Sequence, residues 1–182
     1  MVRGDLEDVV SSTGTLAAVG TVEVGTQVSG TLSRIYVDYN SQVKQGQILA
    51  ELDRSLFEAE VSAQQAAMAW AQSELAQAEA EYRRNRPLFE KGYLSAQEFL
   101  TLETQVAQAR ATRSSAQATL IRARTNLQYA VVRSPINGTV IERSVEEGQT
   151  VAASLSAPVL FIIAEDLSRM QIEAAVDESD IG

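Results

Sequence analysis

The spacing of apolar and polar residues divides the chain into two β-rich segments with a helical segment between them. From residue 9 to residue 53, apolar and polar residues alternate in short runs that are separated by glycine-containing turns. From Ser55 to about Gln128, apolar residues recur at intervals of three and four, which is typical of long helices. The alternating pattern returns at Tyr129. The pattern predicts an elongated α+β chain in which a helical segment interrupts a β-domain.

The helical segment has two arms with the residue spacing of a coiled coil. One polar residue, Arg113, interrupts the apolar stripe of the second arm, which contains Phe99, Leu102, Val106, Ala109, Ala116, Leu120, Ala123 and Leu127. The matching stripe of the first arm is Phe57, Val61, Gln64, Met68, Ala71, Leu75, Ala78 and Tyr82. We call these two stripes the seam. They predict an antiparallel hairpin, residues 55–128, with arms of about 30 residues or about 45 Å.

Both arms begin with a predicted capping box, formed by Ser55 with Glu58 and by Ser95 with Glu98. The connection between the arms runs from residue 83 to residue 95 and contains four cations, a proline and a glycine. Pro87 lacks a backbone donor and disfavours helical geometry at the residue before it. We therefore expect the first arm to kink or end near Pro87.

The two β-rich segments repeat a pattern of glycine and valine. In each copy a Gly-Thr pair is followed by a valine seven positions after the glycine and by a second valine six positions later. The copies are Gly30, Thr31, Val37 and Val43, and Gly138, Thr139, Val145 and Val151. Asn40 aligns with Gly148, and both residue types tolerate a left-handed backbone. The repeat predicts two half-motifs, residues 19–54 and 129–165, related by a pseudo-twofold axis in one small β-sandwich.

Composition and charge argue against several classes of function. The 182 residues carry 15 cations against 24 anions, and this net charge of −9 disfavours nucleic acid as the main partner. The chain has no histidine and no cysteine, so the commonest general base and the commonest metal ligand are missing, and disulfides are impossible. No base or nucleophile accompanies the acidic pairs Glu146–Glu147 and Asp177–Glu178. We therefore expect a protein that is not an enzyme and that needs no cofactor or metal.

The half-motif VGTQVSGTLSRIYVDYNSQVKQGQILAELD, the hairpin, and the half-motif VVRSPINGTVIERSVEEGQTV occur in that order. This arrangement resembles the periplasmic adaptors, or membrane fusion proteins (HlyD-like), of bacterial tripartite efflux pumps, and is most similar to MacA-type adaptors, which serve ABC transporters. The resemblance implies a split lipoyl-like (biotinyl-carrier-like) β-sandwich. It also implies that residues 1–18 and 166–182 belong to a truncated β-barrel domain.

The resemblance further implies how such a chain works and where. Adaptors of this family lie in the periplasm, and an N-terminal segment that we expect to be missing from this sequence anchors them in the inner membrane. They self-associate into a ring, which the family leads us to expect is a hexamer, and their hairpin tips meet a TolC-like outer-membrane channel. Drugs or other small molecules then pass from an ABC-type transporter through the ring without chemical change.

The family's hairpin tip carries an arginine, a leucine four positions later and a serine seven positions after that. Arg84, Leu88 and Ser95 have this spacing. The resemblance implies that Leu88 fills a groove between channel helices, that Arg84 donates hydrogen bonds to channel oxygens, and that Ser95 adds a hydroxyl contact. Other roles are open for each residue. Ser95 is also a helix cap, Leu88 could seal the end of the coiled coil, and Arg84 could pair with Glu81 or Glu90.

A second candidate site is the loop VAASLSAPV in the second half-motif. In MacA-type adaptors the matching loop points into the channel of the ring and carries glutamine, which forms a polar gate. Leu155 and Ser156 stand at the aligned positions here. They are therefore candidate pore-gating residues, and an ordinary surface loop is the other interpretation.

Three other functions are open from the sequence alone. A lipoyl or biotinyl carrier domain would need a lysine on the turn that joins its halves, but Lys44 and Lys91 lie elsewhere. An adaptor for type I secretion usually has a longer hairpin. A general coiled-coil scaffold would not explain the repeated half-motif.

Overall fold

The computed structural model describes residues 13–18, 20–153, 158–166 and 170–175 of the chain. Two long helices occur within these residues, α1 (Ser55–Glu90) and α2 (Ala96–Tyr129). The strands are β1 (Thr13–Ala18), β2 (Thr21–Gly25), β3 (Gly30–Ile35), β4 (Gln42–Val43), β5 (Ile48–Leu52), β6 (Val131–Arg133), β7 (Gly138–Arg143), β8 (Thr150–Val151), β9 (Val159–Ala164) and β10 (Met170–Ala175). The α+β class with a hairpin between two β-rich halves is confirmed.

Two four-stranded sheets contain strands from both halves. One sheet has the order β2-β9-β7-β4 and the other has the order β6-β5-β3-β8. Exchanging β2 with β6, β3 with β7, β4 with β8, and β5 with β9 converts the first order into the second. Each sheet therefore contains two strands from each half, so neither half can form a complete sheet alone. The predicted pseudo-twofold relation is confirmed.

The tight turns of the two halves show the same symmetry in their hydrogen bonds. Asn40 has a φ angle of 65° and Gly148 has a φ angle of 82°. The N–H of Asn40 donates to the carbonyl of Val140 at 2.8 Å, and the N–H of Gly148 donates to the carbonyl of Leu32 at 2.8 Å. The repeat thus predicted the two left-handed turns correctly. Each turn forms a hydrogen bond with a central strand of the other half.

The core of the β-sandwich lies between the sheets and draws on both halves. Its large side chains are less than 2% exposed, and they are Phe161, Leu32, Leu49, Leu52, Leu160, Ile163 and Val140. The four repeated valines are buried as well: Val37, Val43, Val145 and Val151. The repeat in the sequence therefore marks core positions.

The helices form an antiparallel hairpin that is longer than predicted. With 36 and 34 residues, α1 and α2 reach about 54 Å and 51 Å at 1.5 Å per residue. Every seam residue is buried or half-buried, so the predicted coiled-coil spacing is confirmed. Arg113, the polar residue of the second-arm stripe, uses its Nε to donate to Oε1 of Gln72 on α1 at 2.7 Å.

The start of α1 differs from the prediction, because the Ser55 capping box does not form. The carboxylate of Asp53 instead accepts from the N–H of Ser55 at 3.0 Å, while Arg54 pairs with Glu58 at 3.3 Å. The N–H and the hydroxyl of Ser55 hold the pKa of the Asp53 carboxyl below its ordinary value. An aspartate two residues upstream thus satisfies the first turn, and the arginine between them occupies the Glu58 carboxylate.

Pro87 does not end the first helix, which continues to Glu90. A proline in a helix loses the bond from its own nitrogen to the carbonyl four residues earlier. The helix tolerates the loss of this single bond and ends three residues later, so the prediction that the first arm ends near Pro87 is confirmed.

Outside the sandwich, β1 pairs antiparallel with β10, with Thr13 opposite Ala175 and Ala18 opposite Met170. The two ends of the described chain therefore meet in a separate two-stranded sheet. The assignment of residues 1–18 and 166–182 to a β-barrel domain stays a prediction.

Candidate functional site: the hairpin tip and the outer faces of its helices

The end of α1 is closed by backbone bonds around Gly92. Gly92 has a φ angle of 76°, which a residue with a side chain rarely adopts. Its N–H donates to the carbonyl of Phe89 at 2.9 Å, and the N–H of Tyr93 donates to the carbonyl of Leu88 at 2.9 Å. These two bonds form a Schellman motif. The motif stops α1 and reverses the chain without using the side chain of Leu88.

Ser95 begins α2 with the predicted capping box, which is confirmed. Its hydroxyl accepts from the N–H of Glu98 at 3.2 Å and donates to the Glu98 carboxylate at 2.7 Å. The same carboxylate accepts from the N–H of Ser95 at 2.9 Å. The Ser95 hydroxyl, with a smaller contribution from its N–H, holds the pKa of Glu98 below its ordinary value. The only proton of the Ser95 hydroxyl is therefore used inside the hairpin.

An aromatic cluster seals the tip of the coiled coil. The rings of Phe89 and Phe99 are stacked with their centroids 4.3 Å apart, and Tyr82 lies 5.2 Å from Phe99. The sequence pattern placed Tyr82 and Phe99 in the seam but missed Phe89. A signal was available, because Phe89 lies seven residues after Tyr82 and so extends the stripe by one heptad.

The side chains of Arg84 and Leu88 take no part in the helix end, the cap or the aromatic cluster of the tip. They lie four residues apart on α1, so their side chains share one face. Leu88 is 44% exposed, and the seal that it could have formed is made by Phe89. Arg84 is exposed and forms no ion pair or hydrogen bond with any described residue, so the alternative pairing with Glu81 or Glu90 is absent.

The charge of the tip is opposite to that of the chain. Residues 83–95 contain four cations, and Glu90 is their single anion. Glu90 pairs with Arg86 at 3.1 Å. The remaining cations, Arg83, Arg84 and Lys91, are exposed. This end of the hairpin therefore presents a positive surface next to the exposed Leu88.

Each helix has a second stripe of uncharged residues, which we call its outer stripe. On α1 it consists of Leu56, Ala59, Ala63, Ala66, Trp70, Ser73 and Gln77, and on α2 of Leu100, Thr104, Ala107, Ala111, Ser114, Ala118 and Ile121. All fourteen residues are exposed, and both stripes keep the 3-4 spacing of the seam. The outer stripes were not among the sequence predictions, although their spacing and lack of charge can be read from the sequence.

The two outer stripes lie on opposite sides of the hairpin. The α1 stripe precedes the seam positions by one or two residues, and the α2 stripe follows them by one or two residues. At 3.6 residues per turn, each stripe is rotated by about 150° from the seam, in opposite senses along the chain. Because the helices are antiparallel, these opposite rotations turn one stripe to each outer side.

The candidate gate residues Leu155 and Ser156 lie outside the described residues, so their role as a gate stays a prediction. In the described part of the chain, neither helix combines the length and the apolar character that a membrane span requires.

Comparison with known proteins gives the same family from sequence and from structure. A family profile described as "RND MFP, barrel-sandwich hybrid domain" matches residues 20–163. The macrolide export protein MacA of Escherichia coli O157:H7 is 33% identical over 192 residues, which cover 98% of this chain and 52% of that protein. The pyoverdine export membrane fusion protein PvdR of Pseudomonas aeruginosa is 32% identical over 194 residues, which cover 99% and 49%. The chain spans about half the length of these curated relatives.

Two solved structures share the fold over most of the chain. A MacA–MexA chimeric protein that contains the Pseudomonas aeruginosa MexA α-hairpin has a TM-score of 0.64 and 37% identity, and the match covers 95% of this chain and 55% of that one. MacA from Actinobacillus actinomycetemcomitans has a TM-score of 0.62 and 31% identity, with 95% and 57% covered.

Proposed function

Because the chain belongs to the RND-type membrane fusion proteins that carry a barrel-sandwich hybrid domain, we propose that it is a non-catalytic periplasmic adaptor of an efflux pump. It is anchored at the inner membrane and links an ABC-type transporter there to a TolC-like outer-membrane channel. The likeness to the macrolide export protein MacA supports an ABC-type partner, and the names of MacA and PvdR support drugs or other small molecules as cargo.

One observation carries the docking part of this proposal, namely that Arg84 and Leu88 are exposed at the far end of a rod about 54 Å long. Folding does not explain them, since the Schellman motif ends α1 and the Phe89–Phe99 stack seals the coil. An exposed leucine beside an unpaired arginine suits a partner that offers a groove with oxygen acceptors at its rim. The guanidinium forms two parallel hydrogen bonds with a carboxylate, and the leucine loses water on entering the groove.

The outer stripes support the ring part of the proposal. A surface that is uncharged over six helical turns loses little solvation when another helix covers it, and its alanines allow close approach. Because the stripes point to opposite sides, the α1 stripe of one copy meets the α2 stripe of the next. Such head-to-tail contacts generate a closed ring when the rotations between neighbouring copies add up to one full turn. A hexamer is the number that the family resemblance suggests.

The docking proposal is tested at the tip of the full-length protein in cells. Leu88→Asp places a charge where an apolar contact is proposed, and Arg84→Asp reverses the proposed donor. We expect each variant to lose most crosslinking to the outer-membrane channel and to lower drug resistance. The matched control is Arg83→Asp, which changes a neighbouring exposed arginine on a different face of α1 and should keep both activities.

Circular dichroism separates docking from folding, since all three variants should keep the helical signal of the wild type. If the Leu88 and Arg84 variants crosslink and protect like the wild type, the docking assignment is wrong. If Arg83→Asp fails equally, the tip acts through its general charge and not through the Arg84–Leu88 face.

A further inference from the structure

A cleft of about 800 Å³ lies at the root of the hairpin, where the helices join the β-sandwich. The segment after β2, the first residue before α1, the last turns of α2 and strand β6 form its walls. The cleft is therefore built from both half-motifs and from α2. It lies at the end of the hairpin opposite to the tip, so docking at the tip does not involve it.

The cleft is lined by three arginines, Arg54, Arg124 and Arg133, and by no carboxylate from any described residue. Arg54 pairs at 3.3 Å with Glu58, which is not one of the residues that line the cleft. Arg133 uses Nη1 to donate to the carbonyl of Gly46 at 2.9 Å, which fixes the guanidinium and leaves its charge unpaired. Arg124 is exposed and has no ion pair or hydrogen bond with any described residue.

This concentration of positive charge needs an explanation in a chain with a net charge of −9. Arg124 and Arg133 line this surface without an anionic partner among the described residues, and an anion bound there would offset their positive charge. Apolar and aromatic side chains complete the walls, among them Leu127, Tyr129 and Val131. The chemistry of the cleft therefore combines guanidinium donors with an apolar wall.

We propose that this cleft binds an organic anion, with a phosphate or carboxylate group between Arg124 and Arg133 and an apolar body against Leu127 and Tyr129. Guanidinium groups bind such oxygens through two parallel hydrogen bonds, and they are weakly hydrated compared with an ammonium group. The site goes beyond the adaptor function, because it needs neither a channel nor a ring. Its ligand bridges α2 and the sandwich at the point where the hairpin joins the sandwich.

The test uses the 182-residue chain alone, with phenyl phosphate as the probe in isothermal titration calorimetry at pH 7.5 and low salt. We expect saturable binding of one phenyl phosphate per chain, and weaker binding of inorganic phosphate, which lacks the apolar body. Arg124→Gln removes a charged donor with no other partner and should weaken phenyl phosphate binding by about tenfold. The matched control Arg122→Gln removes an exposed arginine from the same helix outside the cleft and should change the affinity less than twofold.

Arg133→Gln should weaken binding to a similar extent, and Arg133→Lys, which keeps the charge, should restore part of it. Far-ultraviolet circular dichroism of the Arg133 variants checks that the Gly46 turn, which also uses this guanidinium, remains folded. Equal losses in the Arg122 and Arg124 variants would overturn the proposal, since they would indicate general attraction to the helix. Absence of saturable binding to the wild-type chain would overturn it as well. Neither result affects the docking proposal.

Discussion

Replacing Gly138 with alanine should destabilise the β-sandwich far more than the same change at Gly30, its equivalent in the other half. A Cβ atom on Gly138 would overlap the carbonyl oxygen of Ala164 and lie 2.9 Å from its carbonyl carbon. A Cβ atom on Gly30 would meet the Leu52 side chain at 3.4 Å, which is close to ordinary contact. The pair thus compares one substitution at two symmetry-related positions.

The structure sets the size of the difference. Ala164 ends β9, which pairs with β2 on one side and with β7 on the other, so its backbone cannot move away without breaking sheet bonds. Overpacking of this kind costs about 1–3 kcal/mol and occasionally more, and an overlap with backbone atoms places Gly138→Ala at about 3 kcal/mol or above. For Gly30→Ala, a small shift of Leu52 offsets the contact, and the loss of chain entropy in the unfolded state favours alanine by about 0.4–1 kcal/mol.

The free energy of unfolding of both variants is measured by urea denaturation. Hydrogen exchange of the strand amides is measured in a second experiment. The helical hairpin dominates far-ultraviolet circular dichroism, so exchange in β7 and β9 reports the sandwich directly. We expect Gly138→Ala to lower the free energy of unfolding by about 3 kcal/mol and Gly30→Ala to change it by less than about 1 kcal/mol. Equal effects of the two substitutions, or a neutral Gly138→Ala, would refute the reasoning.

Two further predictions concern the hairpin. Phe89→Ala should increase hydrogen exchange at the end of α1 and the start of α2 by about fivefold, since a stacked pair contributes about 1 kcal/mol. Leu88→Ala should change it less than threefold, and equal fraying in both variants would contradict the assignment of the seal. The folded pKa of Glu98 lies below its ordinary value of 4.5, so its contribution to stability is present above that value and is lost as the pH falls through the folded pKa. Urea midpoints measured between pH 6 and pH 3 should therefore fall less steeply with acid in Glu98→Gln than in the wild type, and parallel curves would count against the capping interaction.

The sequence predicted those features that depend on periodicity or on a single backbone requirement. The seam could be located because an apolar residue at every third or fourth position fits one helical face and no strand. The turns at Asn40 and Gly148 could be located because few residue types tolerate a positive φ angle. The repeat of these turns then predicted the pseudo-twofold sandwich, including the burial of its four valines.

Features that depend on competition between neighbours could not be predicted in this way. Ser55 and Glu58 have the spacing of a capping box, yet Asp53 and Arg54 occupy the same donors and acceptors. Pro87 lies near the end of α1, as predicted, but the backbone bonds around Gly92 set the last helical residue. In both cases the residue types were interpreted correctly, and residues outside the motif decided the structural detail.

The three residues of the tip motif, Arg84, Leu88 and Ser95, differ in whether contacts within the hairpin already use their side chains. Leu88 and Arg84 are free for a partner, because Phe89 and the backbone around Gly92 perform the structural tasks nearby. Ser95 differs, since its hydroxyl proton is held by the Glu98 carboxylate and its oxygen already accepts from the Glu98 N–H. An N-cap of this kind is worth about 1 kcal/mol, which a weak contact to a channel would have to exceed. We therefore infer that Ser95 contributes to docking by fixing the first turn of α2 beside the Arg84–Leu88 face, while those two side chains make the contact.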